Sequence, residues 1–247
     1  MALQYTPNDT MVFREPLGTV AFMSGTWGTP IEFTRSYGKL IAHAYENVLQ
    51  PHQFIHLDDQ PTSYHSAARN ALARRFMGDW LLQLDTDHEF EPDMLARMLG
   101  ITQKWSVDVL TAVYRLKVPP YLPNLYWWNE ESQAFARIAE INWDQPVQEI
   151  KCSGAGALLV RRCVFDRIRE ELHEEPFDII HPYSEDFSFF RRCIKLGIKT
   201  HVAPQIYSAH LRVTAVTHDD YNPAGLVLGP VDPATGTVQG VVEPVTK

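Results

Sequence analysis

The stretch "DWLLQLDTDHEF", residues 79–90, begins with apolar Trp80, Leu81, Leu82 and Leu84 and ends on Asp85, Asp87, His88 and Glu89. Carboxylates this close repel one another unless a cation or a tight hydrogen-bond network offsets the charge. The segment therefore reads as a buried strand delivering a metal or phosphate site at its carboxyl end. If the D-x-D is extended, Asp85 and Asp87 point the same way, one toward a hard cation and the other toward a ribose hydroxyl or water. The alternative is a solvated turn. A calcium loop starting at Asp85 is excluded, because Phe90 and Ala96 stand where it needs Gly and Glu. Pro92 likewise occupies the place of the second histidine in an H-E-x-x-H helix.

Elements that would position these groups alternate along the chain. "GTVAFMSG" (18–25) reads as a first strand and "EFTRSYGKLIAHAYENVL" as a helix; "HQFIHLDD" (52–59) is a second strand closing on Asp58 and Asp59. In "SAARNALARRFM", Ala68, Leu72 and Phe76 recur every fourth residue and form one apolar helical stripe. The D-x-D strand follows, then a helix in "EPDMLARML" with Pro92 near its first turn, then the strand "VDVLTAVY". This succession predicts a mainly parallel sheet with helices on both faces, with ligands at the carboxyl ends of its strands.

The segment "KVPPYLPNLYWWNEESQAFARIAEINWDQPVQEIKC" has four prolines and hairpin-like alternation. It is expected to be an irregular β-hairpin excursion. Its "YLPNLYWW" (121–128), with Trp143, is either an acceptor platform or a hydrophobic flap. Beyond it, "GALLVRRCVFDRI" is a strand running into a helix, and "SEDFSFFRRCIKLG" a helix closed by Gly197. The end, from residue 212 to 247, is rich in Pro, Gly, Thr and Val and reads as an extended or disordered tail.

The net charge of −8 over 247 residues argues against a broad nucleic-acid surface. Cys152, Cys163 and Cys193 are odd in number and lack CxxC spacing, which points to free thiols. With no signal-peptide pattern and no long apolar run, a soluble cytoplasmic protein with no membrane partner is expected.

Four segments in order resemble the GT-A fold nucleotide-sugar glycosyltransferases, particularly the family-2-like group. They are "ARNALARRFMGDWLLQLDTDHEF", "CSGAGALLVRRCVFDRI", "YSEDFSFFRRCIKLGIKTHVAP" and "YSAH" at 207–210, spanning roughly residues 17–211. The resemblance implies a domain over 1–211, with a donor half at about 17–116 and an acceptor half at about 117–211. It implies Asp87 and His210 as metal ligands, with Asp85 beside them or holding ribose. Mn²⁺ or Mg²⁺ suits oxygen-rich ligation with one imidazole. Arg69 would contact the diphosphate and Asn70 fix the loop; Asp58 or Asp59 would accept from uracil and Trp27 stack on it. Gly154 and Gly156 of "SGAG" would leave room for the sugar, and Asp186, preceded by Glu185, would be the general base. Helix N-terminal charge with Ser184 as cap is the plainer explanation of those two acids.

The expected reaction is sugar transfer from a UDP-sugar to a protein, nucleic acid or small-molecule hydroxyl, inverting as Glu-Asp bases generally do. His88 after the D-x-D is similar to the D-x-H motif of some retaining enzymes, which leaves the outcome open. Two other readings are a nucleotidyltransferase making nucleotide-sugars and a non-catalytic nucleotide- or carbohydrate-binding module. "SGTWGTPIEFTR" has the glycines of the former but little of its positive charge.

Overall fold

The computed structural model describes residues 15–25, 28–61 and 64–212. The tail expected over 212–247 lies, beyond Arg212, outside the described residues. The chain alternates β1 (Glu15–Ser24), α1 (Ile31–Asn47), β2 (Gln53–Pro61), α2 (His65–Arg75) and β3 (Trp80–Asp85). After a two-residue turn come β4 (His88–Phe90), α3 (Met94–Trp105) and β5 (Val109–Val113). Helix α3 begins after Pro92, with Asp93 at its N-cap position.

The main sheet runs in the order β2-β1-β3, then β10 (Ala157–Arg161), β5, β11 (Thr200–His210) and β4. Strands β2, β1, β3, β5 and β11 share one direction, and β10 is inserted antiparallel between β3 and β5. The chain re-enters the sheet at β10 from an excursion built of β6 (Leu125–Asn129), β7 (Ala134–Arg137), β8 (Gln148–Ile150) and β9 (Cys152–Ser153). Strands β7, β6 and β9 form the expected antiparallel hairpin sheet, whereas β8 joins the edge of β11. The architecture is an α/β sheet of the GT-A type with a β-hairpin region appended.

Continuous apolar runs are what a sheet covered on both faces requires. Leu81, Leu158 and Val160 face α2, α4 (Arg162–Leu172) and α5 (Glu185–Lys195), meeting Phe165, Phe177 and Phe189. Leu82, Leu84 and Leu159 face α1 and α3, meeting Phe33, Leu40 and Met94. The helix stripe Ala68, Leu72, Phe76 joins the first core. Helix α5 closes as expected at Gly197, φ +66°, where the Ile198 N–H donates to the Cys193 carbonyl at 2.8 Å. Strand β11 follows β5 residue for residue to Ala203, then carries three unmatched residues before Tyr207 opposes Val113. Among the described residues no helix is long and apolar enough to cross a membrane.

Gly78 turns the chain from α2 into β3 at φ +80°, and a Cβ there would stand 2.4 Å from the Gly18 nitrogen. Both the left-handed conformation and the clash with backbone penalise any side chain. Gly78→Ala is expected to lower unfolding free energy by roughly 2–5 kcal/mol, read from urea denaturation; an unchanged midpoint would contradict this packing.

Candidate active site

Along β3 side chains alternate, so Gln83 and Asp85 emerge together on the α2 face. There they meet Arg69, which is only 3 % exposed. Its Nη1 donates to Gln83 Oε1 at 2.9 Å, Nη2 to Asp85 Oδ1 at 2.8 Å, and Nε to Glu185 Oε1 at 3.3 Å. Burial alone would ease the proton off this guanidinium, but Asp85, Glu185 and Asp186 outweigh it and raise its pKa. Arg69 is thus not a surface residue. It is a buried cation tying the end of β3 to the start of α5.

Asn70, also buried, is the loop-fixing residue rather than a donor contact. Its Oδ1 accepts from the Phe177 N–H at 2.9 Å and its Nδ2 donates to Asp178 at 2.8 Å. This anchors the segment leading into α5. At the head of α5, the Ser184 hydroxyl donates to Asp186 Oδ1 instead of capping the helix backbone, and the Phe187 N–H donates to the same oxygen at 2.8 Å. Burial raises the Asp186 pKa against these bonds, and the Glu185 charge adds to the rise. The hairpin sheet buttresses this turn: Tyr126 of β6 meets Phe187 at 4.8 Å between ring centroids, and Phe135 of β7 meets it at 5.1 Å.

The D-x-D is not extended. β3 ends at Asp85, residues 86–87 turn, and β4 pairs antiparallel with β11 so that His88 lies directly opposite His210. The structure consequently gathers Asp87, His88 and His210, with one potential ligand atom from each within 4.8 Å of the others. Asp85, expected in this set, is outside it because Arg69 holds it. Asp87 Oδ2 accepts from Lys117 Nζ at 2.6 Å and lies 3.3 Å from His210 Nε2; Oδ1 lies 3.7 Å from His88 Nε2. Burial would raise the Asp87 pKa, but the His210 and Lys117 hydrogen bonds and neighbouring charges hold it well below the usual carboxylate range. Burial pushes the His88 imidazole down to about 4, leaving it neutral.

These donors suit a divalent cation. His210 Nδ1 stands 2.9 Å from the Arg115 carbonyl, which can only accept, so the hydrogen sits on Nδ1. Nε2 then faces the Asp87 carboxylate and needs either a second proton or a cation between them. His88 Nδ1 is engaged by Ser208 Oγ at 2.9 Å, which likewise turns Nε2 toward Asp87. Outer partners that fix ring orientation in this way are typical of metal-ligating histidines.

The glycines leave room for these rings. A Cβ on Gly154 would fall 1.7 Å from the Tyr114 hydroxyl, and one on Gly156 would fall 2.5 Å from His88 Cε1. Tyr114 is buried beside them, its hydroxyl accepting from Asn124 Nδ2 at 2.7 Å. Between Asp87 and Asp186 opens a cleft of about 450 Å³, lined also by Arg69, Asp85, Tyr114 and Ala155. Asp58 and Asp59 do not line it. Arg75 grips Asp58 with two hydrogen bonds of 2.6 and 2.8 Å, and Asp59 accepts from Ser24 at 3.3 Å. Trp27 lies outside the described residues. His88 and Lys117 join the site unexpectedly. His88 was signalled by its place after the D-x-D; Lys117 is a single lysine in a proline-rich loop and carries no comparable signal.

The mainly parallel sheet flanked by helices is the GT-A fold. Residues 38–168, just over half of the chain, match the profile of Glycosyl transferase family 2, and the protein belongs to that family. No curated protein sequence matches it. Its fold is similar to the crystal structure of A197 from STIV, with a TM-score of 0.51 and 17 % identity over 79 % of this chain and 86 % of that one. It is also similar to GalNAc-T7 with UDP, GalNAc and Mn²⁺, with a TM-score of 0.54 and 12 % identity over 84 % of this chain. The match spans 45 % of the GalNAc-T7 chain.

Replacing Arg69 leaves two acids without their shared cation. Arg69→Met is expected to cost roughly 3 kcal/mol of stability, with Arg69→Lys recovering part. A urea-denaturation loss below about 0.5 kcal/mol, the size of an ordinary surface change, would refute the tie.

Proposed function

We propose that the protein transfers a sugar from a UDP-sugar to an acceptor hydroxyl, with inversion, using a divalent cation held by Asp87, His88 and His210. The observation that carries this is the convergence of those three side chains on one point at the lip of a cleft whose far wall is Asp186. The likeness to GalNAc-T7, whose crystal holds UDP, GalNAc and Mn²⁺, favours uridine diphosphate as the nucleotide and manganese or magnesium as the cation. When bound, the cation supplies positive charge against the departing diphosphate.

The chain's own groups do the rest. Asp85, steadied by Arg69, takes a ribose hydroxyl or ordered water. Glu185 positions rather than reacts, since its carboxylate is given to Arg69. Asp186 takes the acceptor proton as the hydroxyl attacks the anomeric carbon, and its raised pKa makes it a stronger base than an ordinary aspartate. The acceptor is a protein, nucleic acid or small molecule brought in along the hairpin side.

Purified protein incubated with a panel of UDP-sugars and Mn²⁺ is expected to release UDP. Chelator or Asp87→Ala should abolish release, and unchanged turnover in that variant would refute the site. Asp186→Asn should lower kcat by roughly 10²–10⁴-fold. Because the base must have lost its proton, kcat/KM should fall as pH drops through the Asp186 pKa, which burial raises above that of an ordinary aspartate. That acid limb should vanish in Asp186→Asn, and its persistence would reassign the base.

A further inference from the structure

Lys117 competes with any cation for one carboxylate oxygen. Its ammonium donates to Asp87 Oδ2, the oxygen nearest His210 Nε2. The lysine is held there by its loop. The Arg115 carbonyl receives the His210 imidazole, Arg115 pairs with Pro123 as an isolated bridge, and the Leu116 N–H donates to the Leu122 carbonyl at 3.0 Å. The Asn124 N–H then donates back to Tyr114 at 2.9 Å. A short closed loop thus keeps a flexible point charge against the carboxylate, with a third of the side chain open to water.

Asp85, Asp87, Glu185 and Asp186 line the same cleft against the single guanidinium of Arg69, so its field is negative. A divalent ion arriving alone must displace the ammonium or sit beside a like charge, and either costs affinity. Arriving with a diphosphate, the same ion strands nothing, because the phosphoryl oxygens offer the displaced ammonium a new partner. We propose that Lys117 is the resident counter-ion of Asp87 and couples cation loading to nucleoside-diphosphate binding, so that each is bound better in the other's presence. The inference rests on the donor reading above and adds to it an ordering device.

The test uses the full chain and equilibrium binding, not turnover. Free Mn²⁺ is followed by electron paramagnetic resonance and UDP by calorimetry, each with and without the other ligand. Lys117→Met should bind Mn²⁺ alone about five-fold more tightly, the scale expected for a half-exposed charge-assisted pair. The factor by which UDP improves Mn²⁺ affinity should fall about ten-fold, within the usual range of such couplings. Lys117→Arg should retain most of the coupling. These changes have opposite signs, whereas a loop that merely supports the site would weaken both affinities when disturbed. Unchanged or weaker Mn²⁺ binding in Lys117→Met, with wild type binding both ligands, overturns this inference alone. Wild type that takes up neither Mn²⁺ nor UDP overturns the donor reading and this inference with it.

Discussion

A guanidinium sealed from water survives only if its donors are spent on acceptors that cannot move away. Arg69 meets that demand with Gln83 and Asp85 from the central strand and Glu185 from a helix more than a hundred residues later. Because all three must stay within hydrogen-bond reach, the separation between the strand end and the acidic helix start is set by one planar cation. Asn70, the next residue on the same helix, repeats the arrangement with a backbone N–H and Asp178. Two adjacent side chains of α2 thereby hold the head of α5 and the segment leading into it, and the apolar stripe beneath them keeps the helix seated.

Against that rigid frame the ligand cluster depends on strand pairing. The turn after Asp85 redirects the chain into a three-residue strand, and its antiparallel register places His88 and His210 face to face with ring centroids 4.5 Å apart. The close approach of Gly156 to His88, and of Gly154 to Tyr114, lets the neighbouring turn press against these rings from the other side. The small residues act as spacers for the His88 and Tyr114 rings.

Much of this was legible in the residues. Apolar runs marked β1, β2, β3, β5 and β10, the four-residue stripe marked α2, and the proline-rich middle marked the hairpin sheet. Asp87 and Asp186, singled out by their place in ordered segments, line one cleft, and His210 stands beside Asp87. What escaped was set by three-dimensional partners with no local trace. The reversed direction of β10 follows from where the excursion re-enters the sheet. The capture of Asp85 by Arg69, and of Asp58 by Arg75, depends on helix placement over strand ends. The turn at 86–87 overrides the extended geometry that a D-x-D suggests, because Phe90 has a core site waiting at the side of Phe33.

Strand β11 starts in the middle of the sheet against β5 and finishes at His210, and its three unmatched residues after Ala203 are an odd number. Side chains on a regular strand swap faces with every step, but Val202, Ala203 and Pro204 are all buried, so it is the bulge that brings His210 to its pairing with His88. The bulge holds the core residue Ile206, so inserting or deleting one residue there would disturb the interior as well as the register of His210 against His88. The place of His210 beside Asp87 therefore rests on one irregular strand as much as on the amino acids around the cleft.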